Sequence, residues 1–582
     1  MKKKIIAPLL VGVLLLNTGC SFFETSYEEY ELSNVTLGNT DFSEMEYEHF
    51  ETREIENLMD SIREDMTDSA NASQVIESFE RVDEEVVEME LSYNLAQLYS
   101  SIDATDEYYQ DELLYITEIY TDLVDKYALL GQEALQSECA DALKEYWDAD
   151  EVEYFEEYEA LNDTQKELNT KEQDLVNQYN TAAVKDYTYT INNKEYTSDD
   201  LETAIYSGEI SYEQYVEGYY GCINAAAEVL APIYVELVKT RMQIAKEAGY
   251  ENYNDYAYEE SYDRDYTPEE AQEFCDDVKE NLVPAFNNFG YSVNYGLISQ
   301  TMDEVANQYS TDEQLELISK YLDRVDPVLA KNFDYMLEHN LYNIEYGDKK
   351  SDGAFTAFIP QYNEPFLYAQ PTESFYDIMT WVHEFGHFNS FCVNVDEASE
   401  SVQNLDLAEI ASQALELLYT EFYGDMLGEE YADYAEDYTL YQRVDSVLEG
   451  CLFDEFQRRV FELDEDDVTV ENINNIFVEV GNQYFDGYYG KGQGDTTWVL
   501  VSHNFESPLY YISYAVSVVP ALEVWEIAQS DFEEACDTYM KIVRAGESGG
   551  YKETLEEIGV GTPFDGETIS NIADMVEEIA NK

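Results

Sequence analysis

His383 and His387 stand four residues apart in the stretch Trp381-Val382-His383-Glu384-Phe385-Gly386-His387, and the whole 582-residue chain has only five histidines. An α-helix has about 3.6 residues per turn, so this spacing puts both imidazoles on one face. Neutral imidazoles are good zinc ligands, and the Glu384 carboxylate between them could take a proton from an attacking water. The pattern is His-Glu-x-x-His, and the chemistry it suits is metal-assisted hydrolysis.

A tetrahedral zinc held by two histidines needs a third protein ligand and one open position. The next strongly helical stretch, Asp406 to Glu416, carries Glu409, Ser412, Gln413 and Glu416 on one face, opposite Leu407, Ile410, Ala414 and Leu418. A helix crossing the first could present Glu409 as the third ligand. Glu416, two turns on, could orient one of the histidines from behind.

Taken in order, these pieces resemble the thimet oligopeptidase and oligoendopeptidase F family of zinc metallopeptidases, and most of all its oligoendopeptidase F branch. Gly353-Ala354-Phe355 and a strand around Phe366 precede His383-Glu384-Phe385-Gly386-His387. Glu409-Ile410-Ala411-Ser412-Gln413 then stands where the family has its Glu-x-x-Ser-x ligand segment, and His503 is followed by Pro508, Tyr510, Tyr511 and Tyr514. The resemblance implies that His503 and tyrosines of this segment stabilise the oxyanion that forms when a peptide carbonyl is attacked. It leaves open whether Tyr510 or Tyr511 serves, because Ile512 interrupts the family's alternation of tyrosines; Tyr511 and Tyr514, three apart, share a helical face. It also implies a helical bowl around a deep channel, open to unfolded oligopeptides and closed to folded proteins. The glycine-rich run Gly487–Gly494 lacks the spacing of a phosphate loop, and the resemblance implies a mobile flap there.

Most of the elements that must position these residues read as helices. Leu113, Ile116, Tyr120, Leu123 and Tyr127 recur at spacings of three and four among acidic residues. Tyr187 to Thr197 alternates around Asn192-Asn193 and predicts a hairpin at a domain boundary. Extended runs at Gly353–Thr356 and Pro365–Ala369 predict a two-stranded ribbon beside the motif, with an edge that an extended peptide could join. Pro371-Thr372 should then open the motif helix, with Glu373 and Asp377 near its positive end.

The N-terminus reads as a processing signal. Lys2, Lys3 and Lys4 precede the apolar run Ile5 to Leu16, which is too short for a bilayer core of about 30 Å, and Gly19-Cys20 resembles a bacterial lipoprotein cleavage box. No later apolar stretch reads as a membrane span. The six remaining cysteines are scattered without Cys-x-x-Cys spacing, which excludes a disulfide scaffold or a cysteine zinc site. With 126 acidic and 30 basic residues the net charge is −96, which excludes nucleic acid as a partner. Such acidity suits a solvated surface outside the cytoplasm.

The expected organisation is a signal peptide at 1–19, a polar tether at 20–45, a helical domain at 46–185 and a catalytic domain at 186–582. The expected protein is a mostly α-helical zincin-type bowl with a small β-ribbon beside the active-site helix. It would be a monomer, anchored outside the cytoplasmic membrane through Cys20, cutting short peptides with one zinc ion on His383, His387 and Glu409. Glu384 would be the base, with His503, Tyr510, Tyr511 and Tyr514 at the oxyanion. Two alternatives stay open: a dipeptidyl carboxypeptidase on the same fold, and a peptide-binding lipoprotein without catalysis.

Overall fold

The computed structural model describes residues 36–581 apart from 148, 159–160, 293–294, 373, 396–397, 399–403, 486 and 548. The signal peptide, Cys20 and the first part of the expected tether lie outside the described residues. The remainder of that tether packs against the body. Thr40 donates its N–H to Glu364 Oε1 at 2.8 Å, and the Phe42 ring lies 4.0 Å from that of Phe366. Met45 is 1% exposed, so apolar side chains, and not polar linker chemistry, decide the path from residue 40 onward.

Helix makes up 73% of the molecule and strand 4%, so helix-on-helix packing has to carry the core. Helices α1 (Arg53–Asp65), α2 (Ala72–Ile102) and α3 (Glu107–Leu135) enclose an apolar core of their own that runs from Phe50 to Phe155. Helix α4 (Asp163–Ala183) falls within the expected N-terminal domain, yet Leu175, Val176 and Tyr179 join the main core and the helix packs along α5 (Tyr212–Glu247). Between them β1 (Tyr189–Ile191) and β2 (Lys194–Tyr196) form the antiparallel hairpin. Asn192 and Asn193 both have positive φ (52° and 64°), as a two-residue type I′ turn requires.

By length and composition α5 could cross a membrane, contrary to the sequence expectation. Here it is a core helix, with Ala231, Tyr234, Leu237 and Val238 fully buried. The ribbon near the motif gains a third strand. β3 (Tyr342–Asn343) runs parallel to β5 (Glu364–Ala369), which pairs antiparallel with β4 (Ala354–Ile359), giving the order β3-β5-β4 with β4 at an edge.

The site rests on α6 (Tyr376–Val393), α7 (Leu405–Tyr419), α8 (Ala432–Phe461) and α9 (Ile512–Ala528). Helix α6 starts four residues later than Thr372. Thr372 instead donates its N–H to the Asp377 carboxylate at 2.8 Å, and Glu373 lies outside the described residues. Two glycines set the helix spacing. A Cβ on Gly386 of α6 would meet the Ser412 Cα of α7 at 2.6 Å, and one on Gly450 of α8 would meet the Ala515 Cβ of α9 at 2.6 Å. Only residues without a Cβ allow these helices to approach so closely.

Candidate active site

Close packing of α6 on α7 brings Glu409 to the histidine pair. Nε2 of His387 lies 3.2 Å from Nε2 of His383, and Glu409 Oε2 lies 3.3 Å from the first-motif imidazole and 3.6 Å from that of His387. All three ligand atoms fall within 4.8 Å of one another, a grouping that could hold a metal ion. Behind it, Nδ1 of His383 lies 2.8 Å from Glu416 Oε1, to which Arg443 Nη1 donates at 3.2 Å.

This bonding defines the electrostatics. Burial opposes charge on His383, but hydrogen bonds to Glu409 and Glu416 hold its pKa well above the ordinary value. Burial likewise opposes charge on Glu409, and the two imidazoles hold its carboxyl well below the usual carboxylate range. With Nδ1 of His383 on Glu416, its Nε2 is turned toward Nε2 of His387 at 3.2 Å and toward Glu409 Oε2 at 3.3 Å. Two imidazole nitrogens and a carboxylate oxygen around one point form a borderline-soft N, N, O donor set that fits zinc once both nitrogens have given up their protons.

Glu384 lines the same cavity and is 5% exposed. Thr356 Oγ1, from edge strand β4, donates to Glu384 Oε2 at 2.8 Å. Burial raises the Glu384 pKa above its ordinary value. Sequence reasoning missed Thr356, since a threonine in a strand carries no signal of its own.

The aromatic side of the cavity is assembled differently. Tyr511 and Tyr514 line the wall, whereas His503 and Tyr510 stand behind it among the described residues. His503 stacks on Tyr510 (5.5 Å, 8°) and meets Tyr511 and Tyr514 edge-on, and the Tyr514 hydroxyl lies 3.5 Å from His503 Nε2. Burial pushes His503 down to about 4, so its ring is neutral near pH 7. Burial, then the nearby Glu409 charge, raises the Tyr514 pKa, so this phenol keeps its proton and can donate it in a hydrogen bond.

Backbone clamps hold this segment. Buried Arg241 of α5 pairs with Glu172 at 2.6 Å and donates to the carbonyls of Asn504 (3.3 Å) and Phe505 (2.5 Å). Gln457 of α8 donates to the Asn504 side chain and accepts from the Leu509 N–H, and Tyr262 donates to the Pro508 carbonyl at 2.8 Å. Leu509 sits at φ 65°, a left-handed conformation that costs a leucine roughly 1–2 kcal/mol and persists because these contacts fix it. Arg241 and Gln457 were also missed, because each is defined by backbone partners more than fifty residues away in sequence. The glycine-rich loop is pinned at Tyr489, whose N–H and carbonyl both bond the Asn482 side chain, and none of its described residues lines the cavity.

Residues 321–573 match peptidase family M3, and residues 42–160 match the peptidase M3 N-terminal domain. The oligoendopeptidase F homolog of Borreliella burgdorferi is 23% identical over 308 residues. That match covers 49% of this chain and 50% of the homolog, so it spans about half the length of this curated relative. Among solved structures, a provisionally named oligoendopeptidase F superposes with a TM-score of 0.72 at 21% identity, covering 93% of this chain and 99% of the other. PZ peptidase A with an inhibitor gives 0.71 at 20% identity, with coverage of 93% and 99%. The oligoendopeptidase F of Enterococcus faecium gives 0.58 at 16% identity, with coverage of 91% and 98%. At such identities the likeness establishes the fold.

Proposed function

The chain belongs to the peptidase M3 family, and on that premise we propose that it is a zinc-dependent endopeptidase acting on short, unfolded peptides. One observation carries the proposal: His383, His387 and Glu409 converge within 4.8 Å on the wall of the cavity that Glu384 also lines. Bound there, zinc would supply Lewis acidity to the scissile carbonyl and lower the pKa of water toward ~7.

The protein's own groups do the rest. Glu384, aimed by Thr356, takes the proton of the attacking water and passes it to the leaving amine; burial, by raising its pKa, suits it to both transfers. Glu416 fixes the ring and tautomer of His383. Tyr514 or Tyr511 donates a hydrogen bond to the developing oxyanion, backed by a neutral His503. The cavity of about 670 Å³ lies within the ~300–1,000 Å³ range of pockets for small ligands, so it holds a few residues of extended chain and no folded domain. Lys2–Lys4, the apolar run and Gly19-Cys20 support an extracytoplasmic, lipid-anchored location, which a Cys20→Ala variant released from the membrane fraction would test.

The test of function is metal analysis of the purified protein together with mass-spectrometric mapping of cuts in a mixed peptide library. The expected result is one zinc per chain and internal cuts, including in C-terminally amidated peptides. Glu384→Gln should keep zinc and peptide binding while losing about 10²–10⁴ in rate; unchanged turnover would remove Glu384 as the base.

A further inference from the structure

The cavity wall carries six carboxylates, those of Asp377, Glu384, Glu409, Glu416, Asp445 and Glu449, against a single arginine, Arg443, among the described residues. Four of the six are committed. Asp377 accepts from Thr372, Glu384 from Thr356, Glu409 faces the imidazoles, and Glu416 holds His383 and Arg443. Asp445 and Glu449 have no hydrogen bond or ion pair among the described residues, although both are partly buried. Being four apart on α8, they project from one helix face, where like charges repel and weaken the helix.

Burial pushes Asp445 up to about 7, with the Glu449 charge adding to it, and no cation among the described residues bonds either carboxylate. A second observation shows the same cavity unsatisfied elsewhere. Gln413, 2% exposed and on the wall, has a side-chain carbonyl oxygen without a hydrogen-bond partner, an acceptor suited to the N–H of a peptide. The net charge of −96 favours a cationic residue at any position of a peptide alike and is screened within about 10 Å. A desolvated pair inside the cleft acts on one side chain only.

We propose that Asp445 and Glu449 form a subsite for a lysine or arginine side chain of the peptide, on the Tyr511 side of the cavity, while Gln413 accepts a hydrogen bond from the peptide backbone. The placement follows from the packing beside Glu449: a Cβ on the next residue, Gly450, would lie 2.9 Å from the Tyr511 carbonyl oxygen, and Glu449 and Tyr511 line the same wall. This rests on the peptidase reading above. A cationic side chain there would return the desolvation cost of both carboxylates and relieve their repulsion.

The experiment compares internally quenched peptides that differ only in carrying arginine, its neutral isostere citrulline, or glutamate at successive positions around the cut. The zinc-loaded full chain should show one position at which arginine exceeds citrulline in kcat/KM by about tenfold or more, the size of one charged hydrogen bond. Asp445→Asn with Glu449→Gln should collapse that ratio. Asp445→Lys with Glu449→Lys should reverse it in favour of glutamate, an outcome that misfolding cannot produce. Equal cutting of all three peptides, with ratios untouched by either double variant, overturns the subsite and leaves the peptidase standing. No cutting of any peptide by the zinc-loaded wild type overturns both.

Discussion

At one end of the cavity, His383, His387, Glu409 and Glu416 form a cluster of ionisable side chains whose polar atoms lie 2.8 to 3.6 Å apart. At the other end, His503, Tyr510, Tyr511 and Tyr514 meet as rings at 5.1–5.9 Å, and their backbone is gripped by Arg241, Gln457 and Tyr262. The first end keeps its histidines' pKa values high and its glutamate's low; the second keeps its histidine neutral by excluding water. A metal needs concentrated negative charge and lone pairs. An oxyanion needs neutral donors in a dry place, where an unbonded phenol would be wasted and a charged one would repel. The molecule places these two kinds of environment side by side, with α8 supplying Arg443 to the first and Gln457 to the second.

The sharpest way to break this comparison is at the tyrosines. Removing the hydroxyl in Tyr514→Phe should lower kcat by about 10²–10³ with zinc content unchanged, as for other single oxyanion donors. Tyr510→Phe should cost far less, since Tyr510 stands behind the wall. Steady-state kinetics on one quenched peptide checks both. If Tyr510→Phe were the more damaging, the assignment of the wall tyrosines would be reversed.

At the metal end, Glu416→Gln should weaken zinc binding by about 10–100-fold in a chelator competition, the usual cost of losing the group behind a ligating histidine. It also removes the negative charge that compensates buried Arg443, so a lower Tm should accompany the loss. Zinc affinity equal to wild type would mean that His383 needs no support. Gly386→Ala tests the geometry beneath. The new methyl would meet the Ser412 backbone at 2.6 Å and push α6 from α7. A loss of about 1–3 kcal/mol in stability is expected from such overpacking, with faster zinc release because Glu409 sits one turn from Ser412.

The clustering of His383, His387 and Glu409 was legible in the spacing of the sequence, and the arrangement around His503 was not, for a physical reason. His383, His387, Glu409 and Glu416 sit at helical spacings, so face and distance follow from the period, and rare histidines stand out in so acidic a chain. The helical class, the hairpin at Asn192-Asn193 and the strands beside the motif follow from the same local rules. The tyrosine end depends on where the chain turns between His503 and Ile512. That turn is fixed by the left-handed Leu509 and by hydrogen-bond partners more than fifty residues away in sequence: Gln457, which accepts from the Leu509 N–H, and Arg241, which donates to the Phe505 carbonyl. Among 53 tyrosines no local pattern distinguishes Tyr514 on the wall from Tyr510 behind it. Thr356 and the third strand at Tyr342 escaped likewise, because each is defined by what lies across from it.

The smallest effect concerns His503. Burial takes its pKa from 6.5 down to about 4, so below 6.5 the unfolded chain binds a proton that the native state refuses. The sign follows: stability is unaffected by this group above 6.5, falls as pH drops between 6.5 and 4, and falls no further from this source below 4. His503→Gln removes that dependence. Denaturant midpoints for wild type and variant should therefore draw together, or cross, in the variant's favour as pH falls through this window. The many carboxylates titrate alike in both proteins and cancel in the difference. A gap that stays constant between pH 6.5 and 4 would mean that His503 takes up its proton as readily in the native state as in water. The oxyanion end would then be no drier than the metal end, and the contrast between them would fail.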